Sequence, residues 1–162
     1  MSTLPWWKNS RGELFVIAQF VLFGLIAFGP RHVAPLPAWG PAWSAFGHAA
    51  GPLLMIAGAA LAAAGAANLG RNLTPFVCPS AQSVLLERGA YRIVRHPIYS
   101  GLLLVAFGWG LRVNGLLTLG CGILLLVLFD RKASREEELL LLRFAGYAAY
   151  RDRVPKLIPF IR

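Results

Sequence analysis

The run Ala45-Phe-Gly-His-Ala-Ala-Gly-Pro-Leu-Leu-Met-Ile-Ala-Gly-Ala-Ala-Leu-Ala-Ala-Ala-Gly-Ala-Ala-Asn-Leu69 contains twenty-five residues without a Lys, Arg, Asp or Glu. At ~1.5 Å per helical residue it reaches about 37 Å, against a hydrocarbon core of about 30 Å, so a tilted helix can cross a bilayer. Its centre, Gly58-Ala-Ala-Leu-Ala-Ala-Ala-Gly-Ala-Ala67, is a surface of small residues. In lipid such residues let neighbouring helix backbones approach closely. The stretch is packing surface rather than chemistry.

Working outward, Leu14 to Gly29 is a second uncharged run, with Lys8 and Arg11 before it and Arg31 after it. Its sixteen residues give about 24 Å. Two shorter runs, Tyr99 to Leu111 and Gly115 to Phe129, are separated by Arg112-Val113-Asn114, and the Asn-Gly pair there signals a turn. They form a tight helical hairpin. With 57% hydrophobic and 14% charged residues, the expected class is an all-α integral membrane protein of about four membrane segments, the last two a hairpin. One domain is expected over residues 1–162, with two N-terminal spans in 1–69 and a functional part in 70–162.

Positive charge sets the orientation. If the N-terminus, the segment 70–97 and the tail from Asp130 share one side, that side carries fourteen of the sixteen Lys and Arg residues, leaving Arg31 and Arg112 opposite. Both termini are therefore expected in the cytoplasm. The net charge of +9 reads as topology and attraction to anionic lipid, not as a nucleic-acid footprint. The N-terminus mimics a signal peptide, but cleavage is not expected, because it would remove a helix from a small bundle. Cys78 falls in the cytoplasmic segment and Cys121 within a span, while His32, His48 and His96 lie in three separate regions. Neither a disulfide nor a metal site is indicated.

Between the apolar runs lies Arg88-Gly-Ala-Tyr-Arg-Ile-Val-Arg-His-Pro-Ile-Tyr-Ser-Gly101, polar and rich in turn residues. The bland reading of His96-Pro97 is a helix entry, with Pro97 in the first turn and His96 as its cap. A cap requires neither Tyr91 nor Tyr99. Aromatic faces beside a Gly-permitted backbone suit a flat heterocycle, and the nearby donors suit its polar rim. A charged helix is expected over Asp130 to Tyr150. Ser134 three residues before Glu137 matches a capping box, which makes Glu137 a helix-end residue. Glu136 instead shares a helical stripe with Leu140, Arg143, Tyr147 and Tyr150, although Gly146 weakens the helix before Tyr147.

Together, Gly89-x-Tyr91, Arg95-His96-Pro97-x-Tyr99-x-Gly101, and Glu136-Glu137 with Leu140, Phe144, Tyr150 and Pro159 resemble the isoprenylcysteine carboxyl methyltransferase family and the related membrane phospholipid methyltransferases. The resemblance covers about the last 90 residues. It implies a site for S-adenosylmethionine on the cytoplasmic side, built by the cytoplasmic loop and the C-terminal helix. The residues implied are Ser83, Val84, Leu85, Leu86, Tyr91, His96, Pro97, Ile98, Tyr99 and Glu136. It also implies a lipophilic or prenylated acceptor entering from the bilayer, with carboxyl O-methylation ahead of phospholipid amine N-methylation. Four residues before the glutamate the eukaryotic carboxyl methyltransferases carry a substrate-orienting arginine. Here Lys132 occupies that place beside Arg131, so Glu136, Arg131 and Lys132 are the implied catalytic set, and a lysine cannot bind a carboxylate in bidentate fashion. Two other classes remain open to the same residues: a nonenzymatic membrane protein whose basic tail docks lipid, and a sterol-reductase-like protein with a nicotinamide cofactor.

Overall fold

The computed structural model describes residues 12–32, 39–70 and 85–159, so Cys78, Ser83 and Val84 lie outside the described residues. Among them are five α-helices and no strand: α1 Glu13–Phe28, α2 Pro41–Leu69, α3 Pro97–Arg112, α4 Leu116–Arg143 and α5 Tyr147–Arg153. A short 3-10 turn, Gly89–Arg92, precedes α3. The helix α2 begins earlier than the uncharged run suggests, because Pro41 takes the first helical turn, where its missing N–H has no partner to lose. It is the one described helix long and apolar enough to cross a membrane; α1 is apolar but shorter.

A seam of glycines joins α2 to α3. Gly47, Gly51, Gly58 and Gly65 are the buried residues of α2, the last three spaced seven apart, and they meet Gly101 and Gly108 of α3. A methyl group on Gly58 would stand 2.5 Å from the Gly101 carbonyl oxygen, and one on Gly51 would stand 2.6 Å from that of Gly108. Glycine is the residue that lets the two backbones come this close. At the far end of the seam Pro97 seats against Gly65, which fixes where α3 begins.

The α3–α4 hairpin turns on Asn114, the single described non-glycine residue with positive φ (51°). Its side-chain amide donates to Ser44 Oγ of α2 at 2.8 Å. Near that turn Trp109 Nε1 donates to the Ile26 carbonyl at 3.0 Å, and the Arg31 guanidinium lies 5.8 Å from the Trp109 ring centre. The first helix then lies along α4, with Phe23 edge-on to Phe129 at 6.4 Å. Ile26, Leu103, Ala106, Leu125, Phe129 and Leu157 form the buried core.

The largest departure from the sequence reading is α4. A span over Gly115–Phe129 and a separate charged helix over Asp130–Tyr150 were expected; one helix of 28 residues runs from Leu116 to Arg143 instead. No Gly or Pro stands between Gly122 and Gly146, and the Leu, Ala, Arg and Glu residues there favour helix. The capping box therefore does not form. Ser134 is in mid-helix, and its hydroxyl accepts from Lys156 Nζ at 2.7 Å. The helix stops at Phe144, whose backbone is extended, so the stripe from Glu136 to Tyr150 breaks before Tyr147 and resumes in α5.

Candidate functional site

At the end of the bundle opposite Arg31 and Asn114, the Arg88–Gly101 motif is pinned from two directions. Asn68, near the end of α2, accepts from the Ala90 N–H at 2.9 Å, and Gly89 has φ 60° with no room for a Cβ beside that Asn68 amide. Glycine is thus required at 89 both by conformation and by space. From the other direction the C-terminal segment straps the motif. Arg95 N–H donates to the Pro155 carbonyl at 2.8 Å, His96 N–H to that of Lys156 at 3.2 Å, and Ser100 Oγ to that of Leu157 at 2.5 Å. Lys156 Nζ is itself anchored on the Asp130 carboxylate at 2.5 Å.

The backbone of His96 does serve as the helix entry, with Pro97 following, but its side chain makes no capping bond. The imidazole Nε2 donates to Glu137 Oε1 at 3.0 Å, and Nδ1 lies 3.8 Å from Glu136 Oε2. Its ring stacks on Tyr99 at 5.4 Å, and Tyr99 stacks on Phe129 at 4.7 Å. One imidazole thus touches two adjacent carboxylates and one aromatic column.

Of those two carboxylates, Glu137 departs from the role that its sequence position suggests. Glu137 is no helix-end residue. Its side chain is 7% exposed and receives Arg95 Nε at 2.8 Å and a second guanidinium nitrogen at 3.2 Å, while the remaining Arg95 nitrogen donates to the Arg151 and Val154 carbonyls. Burial works to raise its carboxyl, but the hydrogen bonds and charges of His96 and Arg95 outweigh that and hold it at about 2. Glu136 is 27% exposed and takes a single described hydrogen bond, from the Tyr99 hydroxyl at 3.2 Å. Burial pushes its carboxyl above the usual range, against the opposing influence of His96, Tyr99 and Lys132, with the neighbouring Glu137 adding to the rise. It is a carboxylate with capacity left over.

Of the other residues singled out from sequence, Lys132 is 1% exposed, with its Nζ donating to Gln19 Oε1 at 2.9 Å and lying 5.2 Å from the Tyr99 ring centre. Arg131, its neighbour, is exposed. Tyr91 is half-buried; its carbonyl accepts from the Tyr150 hydroxyl at 2.7 Å, and its phenol is pushed up by burial and by the charge of Glu136. Pro97 and Ile98 pack toward Gly65 of α2. Leu85 and Leu86 are half-buried, Leu85 lying near Gly146. The structure thus gathers Tyr91, His96, Tyr99 and Lys132 around the Glu136 carboxylate, while Pro97 and Ile98 face Gly65 and Arg131 is exposed.

Three participants went unnoticed in the sequence. The Arg95–Glu137 pair joins residues on different helical segments, and the Lys156 anchor depends on how the tail returns; neither has a local signature. Gln19 did carry a signal, being the single hydrogen-bonding side chain between Leu14 and Gly29.

The whole architecture overlays a solved structure of the eukaryotic intramembrane Ras methyltransferase ICMT (isoprenylcysteine carboxyl methyltransferase), with a TM-score of 0.61 over 99% of this chain and 55% of that one. At 24% identity the likeness is one of fold, a bundle that is all-helical among the described residues. The chain belongs to the phospholipid methyltransferase family, whose model matches residues 46–145 and so takes in both the His96-Pro97 motif and the two carboxylates. Two rice proteins, from Oryza sativa subsp. indica and subsp. japonica and each named probable protein-S-isoprenylcysteine O-methyltransferase, are 37% identical over 82 residues. That match covers 49% of this chain and 43% of each of theirs, so it spans less than half of those relatives. The kinship expected from the motif and the glutamate pair is borne out.

Proposed function

We propose that this chain is an integral membrane methyltransferase that takes its methyl group from S-adenosylmethionine and passes it to a lipid-like or prenylated acceptor, with a carboxylate as the receiving group. The observation that carries the reading is Glu136: a part-buried, under-neutralised carboxylate beside the stacked His96, Tyr99 and Phe129 rings. Such a group complements a ligand that joins a flat heterocycle to two positive centres. The donor set fits the cofactor. S-adenosylmethionine, when bound, supplies an electrophilic methyl on a sulfonium; the protein's task is to bind, orient and exclude water. Tyr91, His96, Tyr99 and Glu136 are the residues that would hold it, with Leu85, Leu86, Pro97 and Ile98 assigned to it by the motif, as are Ser83 and Val84, which lie outside the described residues.

Arg131 and Lys132 bring positive charge to within about one helical turn of Glu136, Lys132 from a buried position, and so favour an acceptor with an anionic group. A carboxylate acceptor needs no base. An amine acceptor does, and Glu137, held at about 2, is too weak for that at neutral pH, which leaves Glu136 and His96. The rest of the assignment is topological: α1, α2, α3 and the first half of α4 are four membrane segments of a single domain, both termini and the site are cytoplasmic, and the acceptor arrives laterally from the bilayer.

Calorimetry on the detergent-purified chain tests this reading. Wild type binds S-adenosylmethionine, and Glu136→Gln weakens that binding by the worth of a charge-assisted bond, ~1.5–3 kcal/mol or roughly 10- to 150-fold. The melting temperature does not fall. A carboxyl whose folded value is raised contributes stability below its unfolded value and loses it as pH rises past the folded one, so the charge of Glu136 is no source of stability and its replacement by glutamine costs none. Folded wild type that binds no cofactor removes the methyltransferase assignment.

A further inference from the structure

Gln19 stands alone as a hydrogen-bonding side chain between Leu14 and Gly29, and it is 8% exposed. Its carbonyl oxygen faces inward to α4, where it accepts from Lys132 Nζ at 2.9 Å. That ammonium lies 5.2 Å from the centre of the Tyr99 ring, and the Tyr99 hydroxyl donates to Glu136 Oε2 at 3.2 Å. A connected path therefore runs from the first helix through Lys132 and Tyr99 to the carboxylate assigned to the cofactor. A buried ammonium is unfavourable unless an acceptor receives it, and Gln19 supplies the hydrogen bond. Burial lowers the affinity of Lys132 for its proton, with the charge of Glu136 opposing that, so the remaining support comes from the amide on α1. Around Glu136 itself stand His96, Tyr99 and Lys132, which favour its ionised form, Glu137, which disfavours it, and the phenols of Tyr91 and Tyr147.

We propose that Gln19 is a positioning residue for the site: from α1 it keeps the Lys132 ammonium charged and seated against Tyr99, and through that charge keeps Glu136 an anion ready for a cationic ligand. The inference rests on the assignment of Glu136 to S-adenosylmethionine. It gives α1 a part in ligand binding through Lys132. A bridge that served only to fasten α1 to α4 would affect melting and nothing else.

The experiment measures S-adenosylmethionine affinity by calorimetry from pH 5 to pH 8, with melting temperature in parallel, for the full chain in detergent. The proteins compared are wild type, Q19L, K132M and the double variant Q19L/K132M. Methionine matches lysine in length without a charge, so K132M and the double variant leave no buried ammonium unpaired and serve even if Q19L does not fold. The expected result is that K132M and Q19L each raise by about one unit the pH below which affinity is lost, and so weaken binding about tenfold at pH values below the wild-type midpoint, the equivalence of one pKa unit to a factor of ten. The double variant binds as K132M does, because Gln19 acts through Lys132 and the effects do not add. Wild-type affinity and an unchanged pH midpoint in K132M overturn the inference, as does a double variant weakened by the product of the two single effects. Wild type that fails to bind the cofactor is a different result: it removes the methyltransferase reading, and this inference falls with it.

Discussion

Along the α2–α3 seam, contact is made by leaving side chains out: Gly51 faces Gly108, Gly58 faces Gly101, and backbone lies on backbone. At the junction of the α3 start with α4 and the tail, contact is made by charge, with Arg95 and His96 on Glu137, Lys156 on Asp130, and Lys132 on Gln19. The seam gains close packing along a length of helix and tolerates no added atom. The polar junction gains geometric definition, because each partner has one orientation that satisfies it, and it tolerates no missing atom. One region is sensitive to addition and the other to removal, and Glu136 belongs to the second.

The largest expected effect tests the polar side of this contrast. Glu137→Ala strands a guanidinium and an imidazole in a buried place and should destabilise the protein by about 3–5 kcal/mol, read from denaturant or thermal unfolding in detergent. It also has a pH signature. The folded carboxyl is held at about 2 against a model value of 4.5, so its contribution, of the order of 3 kcal/mol, is present above pH 4.5 and is lost as pH falls from 4.5 to about 2. Glu137→Ala should be flat across that window, and a wild type equally flat would mean that the Arg95 pair holds nothing together.

A smaller effect is expected in the seam. In Gly101→Val the first added carbon would meet the Ala62 backbone nitrogen at 2.6 Å, forcing the helices apart for about 1–3 kcal/mol. Its acid window should stay as in wild type, and a loss of that window would show that the two regions are not independent. The smallest effect belongs to Asn68→Ala, which removes the acceptor of the Ala90 N–H at the edge of the site, worth about 1 kcal/mol. Its melting temperature should fall by only a few degrees, and a fall as large as that of Glu137→Ala would move the centre of the polar junction to the α2 end.

Much of the bundle was legible in the sequence because its signals are local. Uncharged runs placed α1 and α2, Arg112-Val113-Asn114 placed the hairpin turn, and the small residues of Gly58–Ala67 marked the seam. The boundary within α4 is not where the composition changes because a change from apolar to charged residues marks a change of surroundings, not a break in the backbone, and no Gly or Pro stands between Phe129 and Arg143. A boundary read there makes Glu137 a cap. Sequence position separated Glu136 from Glu137 but missed what Glu137 does, since that depends on Arg95, which is 42 residues away in the chain. Gln19 is conspicuous as the lone polar residue of its run, but its partner is not, because Lys132 lies 113 residues downstream.

The strap over Arg95 and His96 also sets an order of events in making the protein. Arg95 finds the carbonyls that receive its guanidinium at Arg151 and Val154, 56 and 59 residues later, and its own N–H waits for Pro155. While the chain is being synthesised, the glycine seam can close as soon as α3 has emerged, whereas the polar end stays unfinished until the tail arrives. For that interval Arg95 and His96 lack the carbonyls that receive their N–H groups, and the segment 154–157 is the clasp that ends it.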